Sequence, residues 1–162
     1  MSVHNGENYL RAAVESLLYQ TFRDFEFVII DDGSTDGSKQ ILQEYADKDA
    51  RVRLASHENR GLTKCLNEGL TLARGEFIAR MDADDIAIRE RFQRQIEHLE
   101  KNPKITALGT WVHFIDEQGK EETERHSATE PAVIAWEFCM GNIIWHHTMM
   151  IRRQWLDNVG NN

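Results

Sequence analysis

The sequence predicts an α/β fold, a three-layer α/β/α unit around a mostly parallel sheet. Two observations carry that prediction. Helical and strand periodicities alternate from about residue 7 to residue 101, the pattern of parallel strands joined by crossover helices. Two of the strands also run into acidic clusters, Asp31-Asp32 and Asp82-Ala83-Asp84-Asp85. In open α/β sheets, ligands bind in the crevice beyond the carboxyl ends of the strands.

The elements follow in order. Tyr9, Leu10, Ala13, Val14, Leu17 and Leu18 recur at helical spacing and set a first helix from about Glu7 to Tyr19. Phe25 to Ile30 is a short apolar run broken only by Glu26, a buried strand that passes into a loop at Asp31-Asp32-Gly33-Ser34. Ser34, Thr35 and Asp36 are good helix caps, and Ile41, Leu42 and Tyr45 give the next helix its apolar face. Val52 to Leu54 is a short strand. Leu62, Cys65, Leu66, Leu70 and Ala73 form the apolar stripe of a third helix, closed by Gly75. Phe77 to Met81 is a strand, and Phe92, Ile96 and Leu99 mark a helix between about Arg89 and Lys101, before Pro103.

Beyond that the alternation stops. Ile105 to Ile115 is read as one or two strands, Asp116 to Gly119 as a turn, and residues 120–130 as a polar, mobile loop. Thr129 and Pro131 open a short helix. Thr148 to Ile151 is the last strand, with a short helix after it. The expectation is a single domain over 1–162, in two parts, 1–115 and 116–162. Only Met1-Ser2-Val3 precede the His4-Asn5-Gly6 turn, too few residues for a central strand of average length. A fragment of a longer enzyme, truncated at both ends, is therefore expected. So is self-association to a homodimer through the unpaired strand edge.

Composition narrows the function. Hydrophobic residues make up 41% and charged residues 28% of the 162 residues, enough to build a core. Lys and Arg number 19 against 27 Asp and Glu, a net charge of -8, which argues against a nucleic-acid-binding module. The two cysteines, Cys65 and Cys139, lack metal-site spacing and read as free thiols in a reducing compartment. No apolar run has the length of a membrane span.

The acidic clusters are the chemical signal. Asp and Gly also end strands simply because they favour turns. Three carboxylates within four residues, Asp82, Asp84 and Asp85, exceed what a turn needs. Crowded carboxylates repel one another, and a divalent cation such as Mn2+ or Mg2+ relieves the repulsion while sharing its other positions with phosphate oxygens. Asp84, with Asp82 near it, is the predicted metal pair.

Taken in order along the chain, the motifs resemble the family 2 glycosyltransferases of the GT-A fold. His4-Asn5-Gly6-Glu7-Asn8-Tyr9-Leu10 is similar to the family's opening loop and helix, and Ser16-Leu17-Leu18-Tyr19-Gln20-Thr21-Phe22 to its S-x-L-x-Q-T segment. Asp31-Asp32-Gly33-Ser34-Thr35-Asp36 matches its DDGSTD signature. Asn59-Arg60-Gly61-Leu62, with Asn67 and Gly69, matches its N-x-G-L segment. Gly75-Glu76-Phe77-Ile78 leads to the DXD motif at Asp82-Ala83-Asp84, and His146 to Arg153 resembles the family's His-containing strand.

The resemblance implies a nucleoside diphosphate sugar donor, UDP-linked by expectation, and inverting transfer to a glycan or lipid-linked acceptor in polysaccharide or cell-surface glycan synthesis. Ser2 and His4 would line the base pocket, Asp32 would bond the base or ribose, and Lys64 would lie near the nucleotide. Asp82 would contact the ribose, Asp84 would hold the metal, and His146 would face the diphosphate. The catalytic base is expected beyond Asn162. A cytoplasmic enzyme, peripheral to the inner face of the membrane, is the implied setting.

Plainer readings exist for individual residues. His4 also suits a turn, and Lys64 a solvated helix face. Trp136, Trp145 and Trp155 read first as core residues and second as an acceptor-sugar platform. Arg152-Arg153 reads as half exposed. His147 departs from the family pattern, which has a small hydroxyl residue there. Among rival classes, a response-regulator receiver would need a late strand-end lysine that is missing, and a haloacid-dehalogenase-type phosphatase would need its acidic motif after the first strand. A non-catalytic module binding sugar nucleotide and metal is the alternative.

Overall fold

The computed structural model describes residues 1–116, 118–138 and 144–159. Its first half is a parallel sheet in the order β1-β2-β3, made of Ser2–Val3, Phe27–Asp32 and Val52–His57. Ser2 pairs with Ile30 and Val3 with Asp31, while Phe27 to Asp32 pair in register with Val52 to His57. Helix α1 (Glu7–Leu18) buries Leu10, Ala13, Val14, Leu17 and Leu18, the stripe read from the sequence. It packs against α2 (Ser38–Lys48), which buries Ile41 and Leu42. Helix α3 (Leu62–Leu72) instead crosses back over β2 and β1. With right-handed crossovers, that reversal puts α3 on the opposite face from α1 and α2, giving the three layers.

The second half departs from a parallel sheet. Strand β4 (Phe77–Ala79) is followed by α4 (Arg91–Lys101) and β5 (Ala107–Leu108). Both strands pair antiparallel with β8 (Met150–Arg152), in the order β4-β8-β5. The late strand thus comes back between two earlier ones, a connection that local periodicity cannot reveal. The core is continuous across both halves: Val3, Leu10, Val14, Ile29 and Leu42 cluster with Met81, Phe92, Leu99 and Met150.

Several expectations are corrected. Residues 121–125 are not loop but strand β7 (Glu121–Arg125), paired antiparallel with β6 (Val112–Ile115). The strand Glu-Glu-Thr-Glu-Arg has no apolar residue, so it lacks the alternation that marks a strand. Its turn holds it instead: Asp116 Oδ1 accepts from the N–H groups of Gln118 and Lys120, and Gly119 takes a φ of 78°. Asp31 and Asp32 lie within β2, 1% and 2% exposed, rather than in the loop after it. His146–Thr148 is a single 3-10 turn ahead of β8, so strand alternation does not separate the two histidines. Arg152 is buried: its guanidinium donates to the Leu99 and Ile105 carbonyls and lies over the Phe77 ring.

Helices α5 (Pro131–Phe138) and α6 (Arg153–Val159) fall where the short helices were expected. Trp136 and Trp155 are 69% and 45% exposed, which overturns the core reading for both. Cys65 is a buried free thiol, and Cys139 lies outside the described residues. No helix among the described residues is long and apolar enough to cross a membrane.

Candidate active site

The carboxyl ends of β1, β2 and β4 meet in one place. A Cβ built on Gly6, in the loop after β1, would stand 3.7 Å from the Cβ of Ala83, between Asp82 and Asp84. The loops after β1 and β2 are stapled together by polar side chains. Asn5 N–H donates to Ser34 Oγ, Gly6 N–H to Ser38 Oγ and Glu7 N–H to Asp36 Oδ2. In return Thr35 N–H donates to Asn5 Oδ1, and Gly37 N–H to the Glu7 carboxylate. Much of the Asp31–Ser38 motif therefore builds the platform rather than touching a ligand. Asp31 belongs to this scaffold, accepting from Ser34 N–H and Ser56 Oγ–H.

Asp32 anchors the third loop. Its two carboxylate oxygens accept the N–H groups of Arg60 (2.7 Å) and Gly61 (2.9 Å). Gly61 has a φ of 90° and opens α3, so the carboxylate also fixes that helix's start. Burial pushes the Asp32 carboxyl up. The Arg60 N–H, the Cys65 thiol, the Gly61 N–H and the His57 imidazole outweigh it, and the group lies below the usual carboxylate range. Burial and the Asp32 charge raise the Cys65 thiol, which stays protonated. Ligand atoms of Asp32, His57 and Cys65 lie within 4.8 Å of one another. With both Asp32 oxygens engaged and the thiol neutral, this trio is a hydrogen-bonded packing cluster.

His4 is held at both ring nitrogens. Its Nδ1 lies 2.8 Å from the Asp32 carbonyl oxygen, which can only accept, so Nδ1 carries the proton. Asn5 Nδ2 then donates to the bare Nε2 at 3.3 Å. The exposed ring is thus fixed in orientation, as a stacking surface must be. Ser2 is half-buried in β1. Lys64 is exposed on the first turn of α3, the helix pinned by Asp32.

The metal-type cluster differs from the predicted pair. Asp82 Oδ2 lies 3.9 Å from His146 Nδ1 and 3.8 Å from His147 Nδ1, and ligand atoms of the three residues fall within 4.8 Å of one another. Asp84 is exposed and has no ion pair or hydrogen bond among the described residues. His147 Nδ1 also approaches Asp85 Oδ2 at 3.6 Å. Burial raises the Asp85 carboxyl, and the Asp84 and Asp82 charges reinforce burial against the opposing pull of His147. A carboxylate and two imidazoles within ligand reach fit a divalent first-row cation. The preference of Mg2+ for oxygen ligands makes Mn2+ the better match.

Arg80 and Arg91 escape the sequence reading, and Gln20 enters it only as part of the S-x-L-x-Q-T segment. Arg80 donates from Nη2 to Asp82 Oδ1 at 2.9 Å, while its Nε and Nη1 are buried without a partner among the described residues. Arg91, on α4, donates to the Arg80 and His147 carbonyls and so ties the acidic loop to the histidine turn. Its burial lowers the guanidinium to about 10, opposed by the Asp85 charge. Gln20 is fully buried and joins α1 to α4, donating to the Ile88 carbonyl and accepting the Phe92 N–H. Arg91 sits at the start of a strongly amphipathic helix, where an arginine ordinarily reads as solvated; only the fold shows it turned inward.

An α/β sheet whose strand ends gather a pinned histidine platform and an acidic, histidine-backed cluster defines a GT-A glycosyltransferase fold. The chain belongs to glycosyl transferase family 2, whose family model matches residues 1–160. It is 36% identical over 159 residues to an uncharacterized glycosyltransferase of Methanocaldococcus jannaschii, covering 94% of this chain and 54% of that protein. It is 34% identical over 149 residues to the putative glycosyltransferase EpsE of Bacillus subtilis, covering 89% of this chain and 54% of that protein. The chain thus spans about half the length of these curated relatives.

Two solved structures share the fold. The mannosyltransferase PcManGT from Pyrobaculum calidifontis, in complex with GDP-Man and Mn2+, superposes with a TM-score of 0.72 at 18% identity, covering 98% of this chain and 45% of that one. TarS from S. aureus, in complex with UDP-GlcNAc, gives 0.73 at 22% identity, covering 98% of this chain and 45% of that one.

Proposed function

We propose that the chain binds a nucleoside diphosphate sugar, with UDP as the nucleotide. We further propose that the protein transfers the sugar with inversion to a hydroxyl of a glycan or lipid-linked acceptor, on the cytoplasmic side of a membrane. The observation that carries this reading is the junction of two sites where the strand ends of two sheets meet: the oriented His4 ring above Asp32, and Asp82 with His146 and His147 across the Gly6–Ala83 contact. The nucleoside diphosphate sugars in the PcManGT and TarS complexes support the donor class.

In this reading the His4 face stacks on the base, with Nδ1 committed to the Asp32 carbonyl so that the ring cannot turn. Asp32 holds the Arg60–Gly61 loop in place beside the nucleoside. Asp82, His146 and His147 hold a divalent cation, and the exposed Asp84 joins them from the same loop. Such a cation supplies charge neutralisation at the leaving diphosphate. Arg80 orients Asp82, and Arg91 keeps the histidine turn against the acidic loop.

Binding is the direct test. Isothermal titration with UDP, GDP, dTDP and CDP, each with and without Mn2+, should give the tightest binding for UDP with Mn2+. Binding of none of the four nucleotides would sink the donor-site reading, and a preference for GDP would reassign the base.

A further inference from the structure

An open groove of about 460 Å3 lies between the β6–β7 hairpin and the 3-10 turn, lined by Phe114, Glu122, Thr123, Arg125 and Trp145. Its volume is within the ~300–1,000 Å3 range of small-ligand sites. It lies beside the candidate active site: the Trp145 and His147 rings are 6.1 Å apart, and His147 Nδ1 is 3.8 Å from Asp82. The Phe114 ring meets Trp145 edge-on at 5.5 Å, which makes a two-walled aromatic corner.

The hairpin has two chemically distinct faces. Phe114 stands opposite Thr123, and Val112 opposite Arg125, on the groove side. On the other face the charges satisfy each other: His113 lies near Glu121 and Glu124, and His126 pairs with Glu124. Glu122 and Arg125, at the groove, are exposed and have no ion pair among the described residues.

We infer that this groove is a carbohydrate subsite that takes a pyranose ring of the acceptor, a deepening that rests on the sugar-transfer reading above. A pyranose has an apolar C–H face, suited to Trp145 and Phe114, and a rim of hydroxyls. Glu122 accepts from those hydroxyls, Arg125 donates to them through a planar fork, and Thr123 does either. The donor nucleotide has its own platform at His4 and Asp32. A ring on Trp145, two residues from His147, lies beside Asp82.

Saturation-transfer NMR tests this with methyl β-D-glucopyranoside, methyl α-D-mannopyranoside and N-acetylglucosamine as probes. At least one should take up saturation at its ring protons. The effect should fall at least fivefold in Trp145→Ala and in Arg125→Ala, and persist in Trp136→Ala, which alters an exposed tryptophan that does not line the groove. Arg125 is exposed, so its replacement tests the groove even where Trp145→Ala fails to fold. Absence of transfer to all three sugars, or equal transfer in wild type and Arg125→Ala, overturns the subsite. UDP binding measured on the same samples reports separately on the donor reading, so failure of one is distinguishable from failure of the other.

Discussion

Replacing Asp32 by Asn separates a carboxylate from its near-isostere at one buried position. In the wild type, two main-chain N–H groups, of Arg60 and Gly61, bond different carboxylate oxygens. An amide keeps one oxygen and turns its NH2 against the other N–H. One charge-assisted bond is lost and a buried donor is left facing a donor, a cost of about 2–3 kcal/mol. For a chain of this size that lowers Tm by roughly 4–12 °C. Asp31→Asn is the matched control, because Asp31 accepts from the Ser56 hydroxyl, which can rotate and accept from an amide instead. Its cost should be about 1 kcal/mol or less.

The effect of Asp32→Asn is pH-dependent, with a definite sign. Asp32 is held below the usual carboxylate range in the fold, so its contribution is complete above the unfolded value of about 3.9. It is lost as pH falls through the lower folded value. Urea unfolding of both proteins from pH 7 to pH 3 should therefore show a stability gap that is wide at neutral pH and narrows below about pH 4. If Asp32→Asn and Asp31→Asn are equally mild at pH 7, Asp32 is not the anchor of the 60–61 loop.

Other perturbations probe the neighbouring parts. Gly33→Ala places a Cβ at a φ of 71° and 2.6 Å from the Asn59 nitrogen, so it should cost about 2 kcal/mol or more and lower Tm measured by calorimetry. Arg91→Met removes the donors to the Arg80 and His147 carbonyls; thermal unfolding should shift down by roughly 6 °C or more, and Mn2+ affinity should drop with it. Asp84→Ala alters an exposed side chain, so the ligand-free Tm should stay within about 1 °C while the added stabilisation from Mn2+ with UDP shrinks.

Legibility in the sequence tracked how local each cause was. Helices α1 to α4 could be read because their apolar stripes depend only on residues three and four apart. The two acidic clusters were legible for a similar reason, since a strand end and a run of carboxylates are contiguous in the chain. What the sequence hid depends on distant partners. His146 and His147 meet Asp82 only because β8 inserts between β4 and β5, more than sixty residues after the acidic loop. Strand β7 is specified by the Asp116 turn and cross-strand charge, not by an apolar pattern. Arg152 reads as half exposed and Arg91 carries no local signal, yet both bury their guanidinium groups against main-chain carbonyls. Trp136 and Trp155 erred in the opposite direction, as large apolar side chains left outside.

In the proposed site a nucleotide on the His4–Asp32 side meets a divalent cation on the Asp82–His146–His147 side, where the strand ends of the two sheets come together. Thermal unfolding with saturating UDP, with and without Mn2+, in wild type, Asp82→Ala and His147→Ala tests it most directly. The account predicts that UDP raises the wild-type Tm and that Mn2+ raises it further, a linkage effect of binding to the native state. It predicts that the Mn2+ increment, but not the UDP shift itself, disappears in both variants. An undiminished Mn2+ increment in both would contradict the account.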